Sequence, residues 1–157
     1  SRQSGLIVCI LLIQFVAIGG AYLFSSLSAR FGNIKALIIS IFVWMIICVS
    51  VYGLVYVPFD FYITAAFVGL VMGGIQSLSR STYSKLLPQT QDHASYFSFY
   101  DVCDKTGTVL GTLIFGIVNE ITGSMRDSIL ALILFFIIGI ILLLNVQRKN
   151  RIININL

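Results

Sequence analysis

The sequence predicts an all-α integral membrane protein with five transmembrane helices in one membrane domain. Of its 157 residues, 58% are hydrophobic and 10% are charged, whereas a soluble domain carries about 25% charged residues to cover its core. Spanning helices need about 20 apolar residues. Five stretches, which we call spans A to E, approach this length, at residues 5–27, 36–57, 61–78, 95–118 and 128–146. None alternates with the period of a strand, and in lipid backbone polar groups must be paired internally, so each is predicted to be helical.

The distribution of basic residues predicts the orientation of the spans. Cytoplasmic segments carry the excess of Lys and Arg, and one side of the predicted bundle holds most of them, namely Arg30, Lys35, Arg80, Lys85, Arg148, Lys149 and Arg151. The opposite side has Arg2 and Arg126. We therefore expect a cell-membrane protein whose N-terminus is outside and whose tail, residues 147–157, is cytoplasmic. The net charge of +4 does not predict a nucleic-acid partner, because the basic residues are separated by apolar stretches.

The sequence gives no indication of an enzyme, a metal site or a cofactor. Cys9, Cys48 and Cys103 each lie inside an apolar stretch and lack the paired spacing of a disulfide framework or metal site. No nucleophile–base pair or phosphate-binding loop is apparent, and the single histidine, His93, falls in a predicted loop. We therefore expect the lipid bilayer and a small solute as partners, and no catalysis.

An internal repeat relates spans A and B to spans D and E. At an offset of 91 residues four pairs coincide: Gly20 with Gly111, Phe24 with Phe115, Gly32 with Gly123, and Lys35 with Arg126. The offset moves the pattern by three spans. Because successive spans cross the membrane in opposite directions, a shift by an odd number of spans gives the two copies opposite orientations in the membrane. Inverted repeats of three helices are typical of the halves of major facilitator transporters. The repeat predicts a further span before span A, equivalent to span C, and we interpret the N-terminus as a cut through a longer protein.

Three charged residues in span D are the principal candidates for a functional site. Asp101, Asp104 and Lys105 lie in a predicted span, where each ionisable group costs about 2.5–3.5 kcal/mol. Lys105 is about 15 Å along the span, near the membrane midplane. Asp101 and Lys105 share a helix face, and Asp104 points elsewhere. Two interpretations remain open. The cluster is a neutralised ion pair inside the bundle, or it is a substrate and coupling site in which Lys105 binds an anion and Asp101 or Asp104 accepts a proton or an ammonium group.

Two glutamines also lie within predicted spans. Gln14 is midway along span A, and the repeat places it opposite Lys105, so it is a further candidate for the site. A glutamine there can bond a polar substrate or a neighbouring helix. Gln76 lies close to the cytoplasmic end of span C, and we expect it to belong with Arg80 and not with the central site.

Two sets of motifs identify a family resemblance. The segment LSARFGNIK resembles the conserved cytoplasmic loop of major facilitator transporters, with Arg30, Phe31 and Gly32 matching and Ala29 standing where an acid is common. This resemblance implies a loop that stabilises one conformation of the transporter. We assign Arg30 and Gly32 to this conformational loop, together with Arg80 from the same side of the membrane. The segments VGLVMGGIQSLSRSTYSKLLP and YFSFYDVCDKTGTVLGTLIFG resemble bacterial relatives of the fungal vacuolar amino-acid effluxer of autophagy, although Thr112 follows Gly111 where proline is common.

The resemblance covers essentially the whole chain and corresponds to helices eight to twelve of twelve. It implies an incomplete six-helix half of a major facilitator fold whose partner is the missing N-terminal half of the same transporter. It further implies a fragment of a secondary active transporter that moves a small solute by alternating access, with amino-acid efflux as the implied activity. The alternative is a small five-span structural or assembly protein. We expect that the chain alone does not transport.

Overall fold

The computed structural model describes residues 2–54, 58–89 and 91–152. These residues form five α-helices and, within that part of the chain, no β-strand. The helices are α1 (Arg2–Phe31), α2 (Asn33–Leu54), α3 (Pro58–Leu86), α4 (His93–Thr122) and α5 (Met125–Ile152). The all-α fold predicted from the sequence is therefore confirmed.

Each predicted span lies in a helix of its own, and most helices extend past the apolar stretch that predicted them. Hydropathy marks the part of a helix that suits lipid, whereas the backbone hydrogen bonds continue into the headgroup region and water. The largest extension is in α3, which continues to Leu86 although span C was predicted to end at residue 78. In the predicted tail, residues 147–152 continue α5. The last residues of span B, 55–57, and the end of the tail, 153–157, lie outside the described residues.

Four of the five helices are long and apolar enough to cross a membrane, judged by length and composition. The qualifying segments are Ile7–Phe31, Asn33–Gly53, Phe59–Leu86 and Met125–Lys149. The helix α4 is long enough but carries Asp101, Asp104 and Lys105 in its first half, and it does not meet the same criterion. Its crossing of the membrane stays a prediction.

Glycines bring the backbones of α1 and α3 into close contact. Gly69 and Gly73 of α3 lie against the backbone of Ile13 and Ala17 of α1, and a Cβ atom on Gly69 would stand 2.6 Å from the Ile13 carbonyl oxygen. Residue numbers rise together on both helices, so α1 and α3 run parallel. Inside a bilayer, burial from water does not drive helices together. Small residues let two helix backbones approach closely, and the association is then stabilised by van der Waals packing. The Gly69–Gly73 pair therefore acts in helix packing.

The buried core lies among α1, α2 and α3. It consists of Phe24, Ala36, Leu37, Ile47, Val71 and Leu78. The helix α5 packs against α2, where the rings of Trp44 and Phe136 stand edge to face with centroids 6.1 Å apart. The helix α4 packs mainly against α5, and none of its residues is buried. The helix that carries the predicted charged cluster is thus the least covered of the five.

The two turns predicted to be equivalent by the repeat each contain a left-handed glycine with the same backbone hydrogen bond. Gly32, between α1 and α2, has φ 87°, and Gly123, between α4 and α5, has φ 65°. The amide of Gly32 donates to the Ser28 carbonyl at 2.8 Å, and the amide of Gly123 donates to the Asn119 carbonyl at 2.9 Å. A left-handed glycine with this bond ends a helix without a Cβ penalty. Because Ser28 and Asn119 are also 91 residues apart, the geometry agrees with the repeat.

Candidate functional site

Four of the seven residues with a candidate function come together between the C-terminal half of α3 and the N-terminal half of α4, namely Arg80, Asp101, Asp104 and Lys105. Arg80, predicted to lie in a loop, lies inside α3. That prediction was wrong because the helix does not end where its apolar stretch ends. The Arg80 guanidinium donates to the Asp101 carboxylate at 2.8 Å, with 61% and 51% of the two side chains exposed. Arg80, which the sequence assigned to the conformational loop, therefore pairs with Asp101, which it assigned to the central charged cluster.

Aromatic side chains hold the two helices together beside this ion pair. The Tyr83 hydroxyl donates to the Tyr96 carbonyl at 2.9 Å. The Tyr83 ring also packs on Tyr100 and Phe97, with centroids 5.0 and 5.9 Å away. Arg80 lies over the Tyr100 ring at 5.6 Å, within the range of a cation–π contact. We call the contacts of Arg80, Tyr83, Tyr96, Phe97, Tyr100 and Asp101 the α3–α4 clasp.

A polar cavity of about 280 Å³ lies beside the clasp. Both helices contribute to its walls, which are formed by Ile75, Gln76, Ser79, Arg80, Tyr100, Asp104 and Lys105. Its volume is just below the ~300–1,000 Å³ range of pockets for drug-sized molecules, so it suits a small solute. Gln76 lies beside Arg80, as predicted. The expectation that it lies apart from the central site was wrong, because Arg80 itself belongs to that site.

The charged groups in this cavity are not neutralised by each other. Asp101 and Lys105 share a face of α4, as predicted, but the ion pair of Asp101 is with Arg80. Within the described part of the chain, neither Lys105 nor Asp104 forms an ion pair or a side-chain hydrogen bond. A neutralised Asp101–Lys105 pair is therefore not what the structure contains. The cavity holds one cation and one carboxylate that are both available to a bound molecule.

Lys105 also reaches a second, more open cavity. This groove of about 450 Å³ runs along α4 and is lined by Asp101, Val102, Lys105, Thr106, Val109 and Leu110. Because Lys105 lines both cavities, its side chain lies between the α3–α4 cavity and the uncovered face of α4. A cation in that position can meet an anion from either side.

Gln14 is not among the residues around this cavity. It lies on α1, whose main helix neighbours are α3 and α2, and its side chain is exposed. No hydrogen bond joins its side chain to any residue in the described ranges. The structure thus brings together Asp101, Asp104 and Lys105 but places Gln14 on another helix, so the assignment of Gln14 to the site stays a prediction.

The turn assigned a conformational role is fixed by Asn33, a residue to which the sequence motifs assigned no role. Arg30 is exposed in the last turn of α1, and Gly32 forms the turn itself. Asn33, at the start of α2, is 2% exposed. Its amide donates to the Ser81 hydroxyl at 3.0 Å, and its carbonyl oxygen accepts from the Lys85 ammonium at 3.0 Å. The α1–α2 turn is thereby bonded to the last turns of α3. An asparagine directly after the turn glycine was the available signal for this role.

Comparison with known proteins identifies relatives over nearly the whole chain. The sequence model of a family described as "Vacuole effluxer Atg22 like" matches residues 1–154. An MFS-type transporter of Bacillus subtilis, YxiO, is 34% identical over 148 residues, which is 94% of this chain and 34% of that protein. Autophagy-related protein 22 of Eremothecium gossypii is 38% identical over 93 residues, which is 58% of this chain and 18% of that protein.

A further relative, autophagy-related protein 22 of Yarrowia lipolytica, is 32% identical over 96 residues, covering 60% of this chain and 16% of that protein. The chain therefore spans about a third of the length of the bacterial relative and less than a fifth of the fungal ones. No solved structure matches the chain.

Proposed function

The chain belongs to the Atg22-like family of vacuole effluxers and MFS-type transporters, and from that membership we propose that it is part of a secondary active transporter of small zwitterionic solutes. In this proposal the chain supplies five helices of the C-terminal half and operates by alternating access with the N-terminal half of the same protein. It resides in the cell membrane with its tail in the cytoplasm and carries out no covalent chemistry.

One observation carries the choice of solute. Asp104 and Lys105 line the same small cavity, and within the described residues neither has an ionic partner. A buried or membrane-enclosed charge is costly unless it is paired. A solute with one ammonium and one carboxylate group would pair both side chains at once, whereas a simple anion or cation would pair only one. An α-amino acid is the smallest common metabolite of that kind.

The remaining residues of the cavity have distinct proposed roles. Lys105 binds the solute carboxylate, and Asp104 binds its ammonium group. Gln76 and Ser79 supply neutral hydrogen-bonding groups on the α3 side. Arg80 and Asp101 satisfy each other at 2.8 Å, so their role is to hold α3 and α4 together at the cytoplasmic end of the cavity. In an exposed state such a pair is worth only about 0–1 kcal/mol, which allows it to break during a transport cycle.

The test uses the full-length parent in proteoliposomes. A radiolabelled neutral amino acid is competed with its decarboxylated amine and its deaminated acid. We expect the intact amino acid to compete at least tenfold better than either analogue, because each charge-assisted hydrogen bond contributes about 1.5–3 kcal/mol. Asp104→Asn should raise KM for the amino acid and reduce the discrimination against the deaminated acid. Glu120→Gln, an exposed carboxylate elsewhere on α4, is the matched control and should transport normally.

Two results would contradict the proposal. Equal competition by the deaminated acid, with Asp104→Asn transporting like the parent, would exclude a zwitterion site at Asp104 and Lys105. Absence of saturable uptake for every solute tested, in protein shown to be folded, would favour the structural or assembly role instead.

A further inference from the structure

A further cavity lies between α2 and the first half of α3, away from the candidate solute site. Its volume is about 400 Å³, and most of its wall is aliphatic or aromatic, including Ile46 and Ile47 of α2 and Ile63 and Phe67 of α3. It shares no residue with the α3–α4 cavity, whose α3 residues begin at Ile75. We call this cavity the α2–α3 slot.

The slot opens on the side of α2 that carries exposed apolar residues. Ile46, Ile63 and Phe67 line the slot and are 52%, 45% and 54% exposed. Phe42 and Val49, at helical spacing from Ile46, continue the same open face of α2. Both helices are long and apolar enough to cross a membrane. An exposed apolar face on such a helix suits contact with hydrocarbon, so a lipid acyl chain can enter the slot.

One end of the slot carries a carboxylate. Asp60 lies in the first turn of α3, and among the described residues that line the slot it is the one with a charge. The hydroxyl groups of Ser50 and Thr64 also line the slot, but each donates at 2.8 Å to a carbonyl of its own helix. From Asp60 to Phe67 the slot extends seven residues along α3, or roughly 10 Å. The carboxylate is therefore at the helix end, and the apolar part lies deeper along the helix.

We propose that the α2–α3 slot binds a membrane phospholipid with a primary ammonium headgroup, such as phosphatidylethanolamine. The ammonium group donates to the Asp60 carboxylate, and one acyl chain lies along the apolar part of the slot. A carboxylate offers about four acceptor positions, so this bond is compatible with the other interactions of Asp60.

The chemistry of Asp60 determines which headgroup fits. A primary ammonium group has N–H donors for a charge-assisted hydrogen bond to a carboxylate. The quaternary ammonium of phosphatidylcholine has the same charge but no N–H group, and an anionic headgroup would be repelled. Because the slot and the α3–α4 cavity are formed by different residues, this proposal does not depend on the solute assigned above.

Lipid binding to the full-length protein tests the headgroup assignment. Native mass spectrometry in detergent gives the Kd of the first bound phosphatidylethanolamine and of a phosphatidylcholine with the same acyl chains. We expect the parent to bind phosphatidylethanolamine about tenfold more tightly, since a charge-assisted hydrogen bond separates the two lipids. Asp60→Asn should remove this preference. Asp127→Asn, which changes the first-turn acid of α5, is the matched control and should keep it.

A second variant tests the position of the acyl chain. Ser50→Phe places a ring in the slot without removing a bond to another helix, and it should weaken the binding of both lipids severalfold. Ser26→Phe changes an exposed serine of α1 whose hydroxyl also bonds within its own helix, and it should bind lipid like the parent. Glycerophosphoethanolamine, which has the headgroup but no acyl chain, should not displace the lipid.

Several results would overturn the proposal. These are equal affinities of the parent for the two lipids, an unchanged preference in Asp60→Asn, and loss of the preference in Asp127→Asn. Parent-like lipid binding by Ser50→Phe, or displacement by glycerophosphoethanolamine, would equally exclude an acyl chain in the slot. Each variant is first shown to be monodisperse, and if Asp60→Asn is not, the comparison of Ser50→Phe with Ser26→Phe still decides. Transport is not measured in any of these experiments, so a failure here leaves the proposed function untouched.

Discussion

At the scale of single residues, Lys105 has an unusual environment for a cation within a predicted membrane span. An aspartate four residues earlier on the same helix normally pairs with such a lysine, but here Asp101 is held at 2.8 Å by Arg80 from α3. The longer guanidinium of Arg80, oriented over Tyr100, offers the carboxylate a fixed planar donor. Because Asp101 pairs with Arg80 and not with Lys105, Lys105 and Asp104 both line the cavity without an ionic partner among the described residues. It is the reason that we assign them, and not Asp101, to the solute.

Asn33 carries a stability prediction at the same scale. Its side chain is 2% exposed and bonds both Ser81 and Lys85. Asn33→Ala removes both bonds and leaves two polar groups of α3 without this partner, which costs about 1–3 kcal/mol. We expect the melting temperature of the purified full-length protein to fall by several degrees. Asn145→Ala, an exposed position on α5, is the control and should have no effect. Equal melting temperatures for the two variants would contradict the role assigned to Asn33.

At the scale of helices, close glycine packing fixes α1 against α3. The two adjacent glycines of α1 differ sharply in this respect. A Cβ atom on Gly20 would collide with the Leu70 backbone, whereas a Cβ atom on Gly19 would meet nothing within 4 Å. On the α1 side, the packing on α3 therefore depends on Gly20 and not on the general flexibility of a glycine pair.

This difference gives a matched pair of variants. Gly20→Ala should destabilise the full-length protein by about 1–3 kcal/mol, because backbone atoms of α3 must move to admit the methyl group. Gly19→Ala should be neutral or stabilising, since alanine favours a helix by about 1 kcal/mol over glycine. The fraction of protein that remains monodisperse after heating in detergent distinguishes the two. Similar losses for both variants would mean that α1 and α3 do not approach as closely as the structure has them.

The helices were predictable from the sequence, but the contacts between them were largely not. Composition and length predicted five helices, which the structure contains. Hydropathy ended span C at residue 78, because it follows lipid preference, and so removed Arg80 from the helix in which it lies. The pairing of Arg80 with Asp101 depends on how α3 and α4 approach one another, and periodicity within one helix carries no information on that approach.

At the scale of the whole molecule, the fold divides into a packed part and an open part. The helices α1, α2 and α3 share the buried core, α5 packs on α2, and α4 lies at the edge without a buried residue. The edge helix carries the charged residues of the candidate site. Polar side chains are tolerated on a helix predicted to span the membrane when they face a cavity and not lipid.

The most direct test of the proposed solute site is transport by the full-length parent in proteoliposomes, measured with and without a pH gradient for the parent, Lys105→Ala and the control Lys149→Ala. Lys149 is an exposed cation near the end of α5. We predict saturable amino-acid transport that responds to the gradient, is lost in Lys105→Ala and is kept in Lys149→Ala. Normal transport by Lys105→Ala would contradict the proposal and would place the solute site outside the α3–α4 cavity.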